Sequence, residues 1–100
     1  MKRLSDKVVI ITGAASRTGA AAARLFAKEG ARLVLTDLWA DRLNSIVRDI
    51  RREGGIITAL VHDISRKEQW EQVAAHTIGS FGQMDILINS TGITRLHTLL

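Results

Sequence analysis

A chain of 100 residues has room for one compact domain, and with 46% hydrophobic and 24% charged residues it has the composition of a globular protein. The absence of cysteine excludes disulfide bonds, thiolate metal sites and cysteine nucleophiles. The net charge of +4 comes from basic residues spread over presumptive helix surfaces, so we expect no nucleic-acid partner. The chain lacks both an apolar run of membrane-spanning length and a signal peptide, which predicts a cytoplasmic protein without a membrane partner.

The first third of the chain predicts two strands around one helix. Val8 to Ile11 is a continuous, β-branched apolar run followed by a turn, typical of a strand buried on both faces of a parallel sheet. The alanine-rich segment from Thr18 to Glu29 predicts a helix, with Gly30 where a C-terminal cap belongs. Ala31 to Thr36 predicts the second strand, which ends in Asp37.

The next helix, starting near Ala40, has one apolar stripe at positions i, i+3, i+4 and i+7, formed by Leu43, Ile46, Val47 and Ile50. Gly54 and Gly55 end this helix, and Ile56 to Val61 predicts the third strand.

Ser65, followed three residues later by Glu68, is a capping box that predicts the start of a third helix, which Gly82 ends. The expected apolar face of this helix is Trp70, Val73, Ala74, Ile78 and Phe81. After Asp85, Ile86 to Ile88 predicts the fourth strand.

The predicted order is therefore β-α-β-α-β-α-β. Strands that alternate with helices in this way imply right-handed crossovers and a parallel sheet with helices on both faces. We expect an α/β fold of the Rossmann type, with strand order 3-2-1-4.

The segment TGAASRTGA at residues 12–20 places Gly13 and Gly19 between the first strand and its helix. In a doubly wound sheet this turn receives the pyrophosphate of a dinucleotide, because glycine lets the phosphates approach the backbone and the helix N-terminus offers unpaired N–H groups. A plain turn would also favour glycine, so both interpretations remain open.

Asp37 lies 18 residues after Gly19, at the end of the second strand. A carboxylate there can accept hydrogen bonds from both ribose hydroxyls of an adenosine, and it would repel a 2′-phosphate. This interpretation predicts NAD, in preference to NADP, as the cofactor. The alternative is that Asp37 caps the helix that starts near Ala40.

Three motifs together resemble the short-chain dehydrogenase/reductase family. TGAASRTGA resembles the TGxxxGxG turn of that family, HDI at residues 62–64 its adenine-side aspartate motif, and INSTG at residues 88–92 its NNAG motif. The resemblance covers the chain from about Asp6 to Ile93. It implies an NAD(P)-dependent oxidoreductase that transfers hydride between the nicotinamide and an alcohol or carbonyl substrate.

The resemblance also implies roles for single residues. Asp63 and the neighbouring backbone would contact the adenine, Asn89 would bond within the sheet, and the backbone from Ser90 to Gly92 would pass close to the adenine ribose and the nicotinamide side. The alternative for Asp63 is that it merely precedes a helix. The alternative for the INSTG segment is a simple turn at the end of a strand. The predicted cofactor-binding residues are Gly13, Ser16, Arg17, Thr18, Gly19, Asp37, Asp63, Ile64, Asn89, Ser90 and Gly92.

Arg17 departs from the family pattern, because it stands where the turn has its middle glycine. A requirement for positive φ at this position would cost about 1–2 kcal/mol. At a helix start with ordinary φ, the arginine would instead crowd the phosphates, or its guanidinium would pair with one of them. Thr18, Ser90 and Thr91 are further departures from the family residues.

The resemblance places the reactive tyrosine, lysine, serine and asparagine of the family beyond the fourth strand, and this chain contains no tyrosine. We assign no catalytic role to His62, His76 or His97, and we find no metal-ligand spacing. We therefore expect residues 1–100 to be a truncated dinucleotide-binding domain that meets a small-molecule substrate only in a complete enzyme. The exposed edge of the fourth strand would make it oligomeric or poorly soluble.

Two other hypotheses remain at this point. The first is a non-catalytic module that binds an adenine dinucleotide and completes its sheet with another chain. The second is a small basic nucleic-acid binder, whose affinity would fall steeply with salt.

Overall fold

The computed structural model describes residues 3–62 and 66–89, together with the backbone alone of residues 95–98. Its elements in chain order are β1 (Val8–Thr12), α1 (Arg17–Lys28), β2 (Arg32–Asp37), α2 (Ala40–Arg52), β3 (Ile56–Val61), α3 (Lys67–Phe81), β4 (Ile86–Asn89) and β5 (Arg95–Thr98). The first seven elements agree with the predicted ones to within one or two residues, whereas β5 was not predicted. No helix in the described part of the chain is long and apolar enough to cross a bilayer.

The strands form one sheet in the order β3-β2-β1-β4-β5. The pairs β3-β2, β2-β1 and β1-β4 are parallel, which confirms the predicted Rossmann-type order 3-2-1-4. The expectation of an open β4 edge is wrong, because β5 pairs with β4 in antiparallel register, from Ile86 opposite Thr98 to Asn89 opposite Arg95. Pairing with a segment close in sequence satisfies the edge N–H and C=O groups of β4 without a second chain.

The central strand β1 is completely buried, and its side chains alternate between two cores. On one face of the sheet, Val9 and Ile11 belong to a cluster that includes Ala20 and Ala23 of α1 and the predicted stripe of α2, all of it buried. On the other face, Ile10 and Val34 pack with Val73 of α3. Helices α1 and α2 therefore cover one face of the sheet, and α3 covers the opposite face.

The predicted apolar face of α3 is correct at Trp70, Val73 and Phe81, but wrong at Ile78, which is 46% exposed. Thr77 is buried in its place, and its Oγ1 donates a hydrogen bond to the Val73 carbonyl at 2.8 Å. That bond removes the cost of burying a hydroxyl, so a polar residue can occupy the inward position four residues after Val73.

The ends of α3 agree with prediction only in part. The helix begins at Lys67 with Arg66 as its N-cap residue, which provides no side-chain cap. The predicted cap, Ser65, lies outside the described residues. At the other end Gly82 adopts a left-handed conformation (φ 76°) and its N–H donates to the Ile78 carbonyl, which confirms the predicted stop.

Asp85 joins the amino ends of β1 and β4. Its Oδ2 accepts hydrogen bonds from the Val8 N–H and from the Gln83 side-chain amide, both at 2.7 Å. Its own N–H donates to the Val8 carbonyl at 3.0 Å. One carboxylate oxygen thus serves both the strand start and the loop that leads into β4.

We expect Asp85→Ala to lower the free energy of unfolding by about 2–3 kcal/mol, because the Val8 N–H loses a charged acceptor in a partly buried site. Asp85→Asn, which keeps an acceptor oxygen, should lose less. Urea denaturation of the two variants measures the difference, and equal stabilities of Asp85→Ala and the unchanged chain would contradict this account.

Two glycines provide an internally matched pair for a second stability test. A Cβ at Gly55 would collide with Cγ2 of Ile50 and lie 3.1 Å from the Ile50 carbonyl oxygen, whereas a Cβ at Gly79 on α3 would meet no atom within 4 Å. Gly55→Ala should therefore cost about 1–3 kcal/mol. Gly79→Ala should stabilise the chain by about 0.5–1 kcal/mol, since alanine is the better helix former. Thermal unfolding of both variants checks the opposite signs, and a shift in the same direction for both would refute the packing argument.

Candidate functional site

The turn between β1 and α1 is closed by its own hydrogen bonds. Gly13 has φ of 65°, a left-handed conformation that glycine adopts without a Cβ clash. Both the N–H and the Oγ of Ser16 donate to the Gly13 carbonyl, at 3.1 and 2.8 Å. The same Oγ accepts the Gly19 N–H at 3.0 Å, which makes Ser16 the N-cap of α1. Hydrogen bonds among its own residues therefore stabilise the conformation of the loop.

The capping leaves N–H groups of the first helical turn available. The Gly19 N–H is bonded to the Ser16 side chain and the Ala20 N–H to the Ser16 carbonyl. For the N–H groups of Arg17 and Thr18, the described residues provide no hydrogen-bond acceptor. These donors lie at the positive end of the helix dipole, where an anion is stabilised.

Arg17 is the first residue of α1, and in the described part of the chain Asp6 is the one non-glycine residue with positive φ. The structure thus excludes the strained-backbone alternative for Arg17. Its side chain is exposed and makes no hydrogen bond or ion pair with the described residues. The predicted neighbours differ in burial, with Thr18 exposed and Gly19 buried against the sheet.

Asp37, the last residue of β2, ties the glycine-containing turn to the start of α2. Its Oδ2 accepts the Ala15 N–H at 3.0 Å, and its Oδ1 accepts the Trp39 N–H at 2.9 Å. The helix-cap alternative is correct only in this limited sense, because the N-cap residue of α2 is Trp39, whose own side chain makes no capping hydrogen bond. Each oxygen of the half-buried carboxylate retains a further lone pair for another donor.

Parallel pairing brings the remaining described candidate to the same edge of the sheet. Asn89, the last residue of β4, lies opposite Thr12, the last residue of β1. The turn is also fixed to β2, because the Ala14 N–H donates to the Thr36 carbonyl at 3.0 Å. Of the predicted cofactor-binding residues, the structure places seven at this carboxyl edge: Gly13, Ser16, Arg17, Thr18, Gly19, Asp37 and Asn89. Asp63, Ile64, Ser90 and Gly92 lie outside the described residues.

The sequence patterns did not single out the exposed apolar surface beside Asp37. Leu38 and Trp39 are 64% and 59% exposed, and Val61, the register partner of Asp37 on β3, is 49% exposed. The Arg42 guanidinium lies over the Trp39 ring, 4.8 Å from its centroid, in a cation–π contact. Trp39 and Arg42 are three residues apart at the start of a predicted helix, and side chains at this spacing are neighbours on a helix surface. The sequence could therefore have predicted this contact.

The side chains of His62 and His76 both contact other polar side chains. His62 Nε2 lies 2.8 Å from the side-chain amide oxygen of Gln72, and the buried Nδ1 of His62 has no partner among the described residues. His76 Nε2 contacts the Thr58 hydroxyl at 3.3 Å. No group of three His, Asp or Glu residues in the described segments could hold a metal ion.

Comparisons with known proteins agree with the fold. The family model for short chain dehydrogenase matches residues 7–100. The 3-oxoacyl-[acyl-carrier-protein] reductase FabG of Thermotoga maritima is 37% identical over 93 residues, which cover 93% of this chain and 38% of that protein.

Two solved structures are similar in fold and sequence. A short-chain dehydrogenase/reductase from Burkholderia phymatum in complex with NAD superimposes with a TM-score of 0.82 at 32% identity, over 87% of this chain and 31% of that one. A metagenomic short-chain oxidoreductase in complex with NADP gives a TM-score of 0.84 at 33% identity, over 91% and 41%. This chain thus spans about two fifths or less of the length of these relatives. The family match over nearly all of its residues shows that the chain belongs to the short-chain dehydrogenase family.

Proposed function

We propose that this chain is the dinucleotide-binding part of an NAD(P)-dependent short-chain oxidoreductase, with residues 1–100 forming its Rossmann domain. The observation that carries the proposal is the Asp37 carboxylate, which is fixed by the N–H groups of Ala15 and Trp39. It lies beside a capped turn where the described residues provide no acceptor for the N–H groups that open α1. A dinucleotide has complementary chemistry, since its diphosphate is an anion and its adenosine ribose is a vicinal diol.

In this proposal the diphosphate binds at the turn between β1 and α1. Gly13 and Gly19 place no Cβ between the backbone and the phosphates, and Ser16 holds the shape of the turn. The N–H groups of Arg17 and Thr18 donate to phosphate oxygens. The exposed Arg17 guanidinium pairs with a phosphate rather than crowding it. Support for this choice comes from the helical backbone of Arg17 and from the lack of another partner among the described residues.

The adenosine binds at the end of β2. Asp37 accepts the ribose hydroxyls with the lone pairs that its two backbone contacts leave unused. The exposed surface of Leu38, Trp39 and Val61 provides apolar contacts for the flat adenine ring, and the family resemblance adds Asp63 and Ile64 on the same side. By the same resemblance, Asn89 would bond within the sheet, and the backbone from Ser90 to Gly92 would pass close to the adenine ribose and the nicotinamide side.

The charge of Asp37 favours NAD over NADP, because a 2′-phosphate would lie against the carboxylate. The solved relatives include complexes with each cofactor, so this preference is part of the proposal. The bound cofactor supplies hydride chemistry, and this chain binds and orients it. Acid–base catalysis on an alcohol or carbonyl substrate would come from residues of a complete enzyme. A cytoplasmic location belongs to the same proposal and is compatible with the cysteine-free sequence.

We expect Asp37→Ala to weaken NADH binding at least about 10-fold, because the ribose hydroxyls lose a charged acceptor. Binding of NADPH should change less, so the ratio of the two affinities should fall. Titration followed by nicotinamide fluorescence measures both constants. The matched control is Asp41→Ala, which removes the same charge from an exposed position in the first turn of α2. Equal NADH affinities of the two variants would contradict the assignment of Asp37.

We expect Arg17→Ala to weaken NADH binding by about 3- to 10-fold and to make it less dependent on salt, since one exposed guanidinium–phosphate pair is lost. Arg48→Ala, at an exposed position on α2, is the charge-matched control and should leave affinity unchanged. Titrations at two ionic strengths give the result. Tighter binding by Arg17→Ala would show instead that the arginine crowds the phosphates.

A further inference from the structure

Strand β3 stands at one end of the strand order and is therefore an edge of the described sheet. It pairs with β2 on one side only. The direction of its backbone groups follows from one hydrogen bond. The His62 N–H donates to the Asp37 carbonyl of β2 at 3.2 Å, so residues at even positions in β3 point towards β2. Alternation along a parallel pair then directs the N–H and C=O groups of Ile57, Ala59 and Val61 outward.

One of these outward groups is occupied by a side chain. Arg51, in the last turn of α2, donates from Nη2 and from Nε to the Ile57 carbonyl, at 3.0 and 3.3 Å. A neighbouring strand would lie 4.7–4.9 Å from β3. A guanidinium in hydrogen-bond contact with an outward carbonyl stands in that space, and it places a positive charge against an otherwise uncharged edge.

The β3 edge has the properties of a strand that pairs with the same strand of a second copy. Its sequence, IITALV, contains no charged residue, glycine or proline and is rich in β-branched residues. Ile56 is 52% exposed and Val61 is 49% exposed. Antiparallel pairing of two copies about a two-fold axis at Ala59 would place Ala59 opposite itself and Ile57 opposite Val61, so that all outward groups gain partners.

We infer that Arg51 closes the β3 edge against pairing with the β3 strand of a second copy of this chain. The guanidinium satisfies the outward carbonyl of Ile57 and excludes the incoming strand. The inference concerns a different surface from the proposed cofactor site and does not depend on cofactor binding.

The test compares Arg51→Ala with Arg52→Ala, a neighbouring exposed arginine whose replacement removes the same charge from the same helix end. Sedimentation over a range of concentrations should show that Arg51→Ala self-associates at concentrations at least about 10-fold lower than Arg52→Ala does. In the associated state, amide hydrogen exchange should slow at Ile57, Ala59 and Val61 in Arg51→Ala and stay fast there in Arg52→Ala.

A rescue variant separates the β3 edge from other surfaces. Adding Ile56→Lys to Arg51→Ala restores a charge to the edge and should return the association to the level of Arg52→Ala. Circular dichroism melts establish that each variant is folded, and Arg51→Gln replaces Arg51→Ala in all measurements if the latter does not fold. Identical sedimentation and amide exchange of the Arg51 and Arg52 variants would overturn the inference, as would association that persists after Ile56→Lys.

Discussion

The candidate site depends on the carboxylate of Asp37, which bonds to two backbone N–H groups from different parts of the chain. The Ala15 N–H belongs to the turn after β1, and the Trp39 N–H precedes α2. One side chain at the end of β2 therefore sets the position of the glycine-containing turn relative to the next helix. A diol and a diphosphate that belong to one ligand need this fixed relation, because their separation is set by covalent bonds.

The sequence predicted the fold well because its signals were local and agreed with one another. Apolar runs predicted the strands, and the stripe of Leu43, Ile46, Val47 and Ile50 predicted the buried face of α2. Where the prediction was wrong, a specific contact accompanies the difference, a hydrogen bond within α3 in one case and strand pairing in the other. Ile78 is exposed because the hydroxyl of Thr77 finds its acceptor within the helix, and the β4 edge is covered because β5 pairs with it.

The candidate site was predictable to the level of residues but not of their contacts. The spacing from Gly19 to Asp37 indicated two groups at one edge of the sheet, and the structure places both there. Spacing could not show that the Asp37 carboxylate already accepts two backbone hydrogen bonds, since both depend on how the turn folds. Spacing also could not decide the conformation of Arg17. If α1 began one residue later, Arg17 would belong to the turn and not to the helix.

The two ends of the sheet have different physical roles. At the amino end, Asp85 joins β1 to β4, and the tight approach of Gly55 to Ile50 fixes the passage from α2 into β3. At the carboxyl end, the glycines of the turn are buried, whereas Arg17 and Thr18 are exposed and Asp37 is half-buried. The groups that we propose to bind the cofactor thus include the solvent-accessible ones at the carboxyl end, whereas Asp85 and Gly55 act in connecting the elements. Because sites without shared partners contribute nearly independently to the free energy of unfolding, a substitution at Asp85 changes stability through contacts that Asp37 does not share.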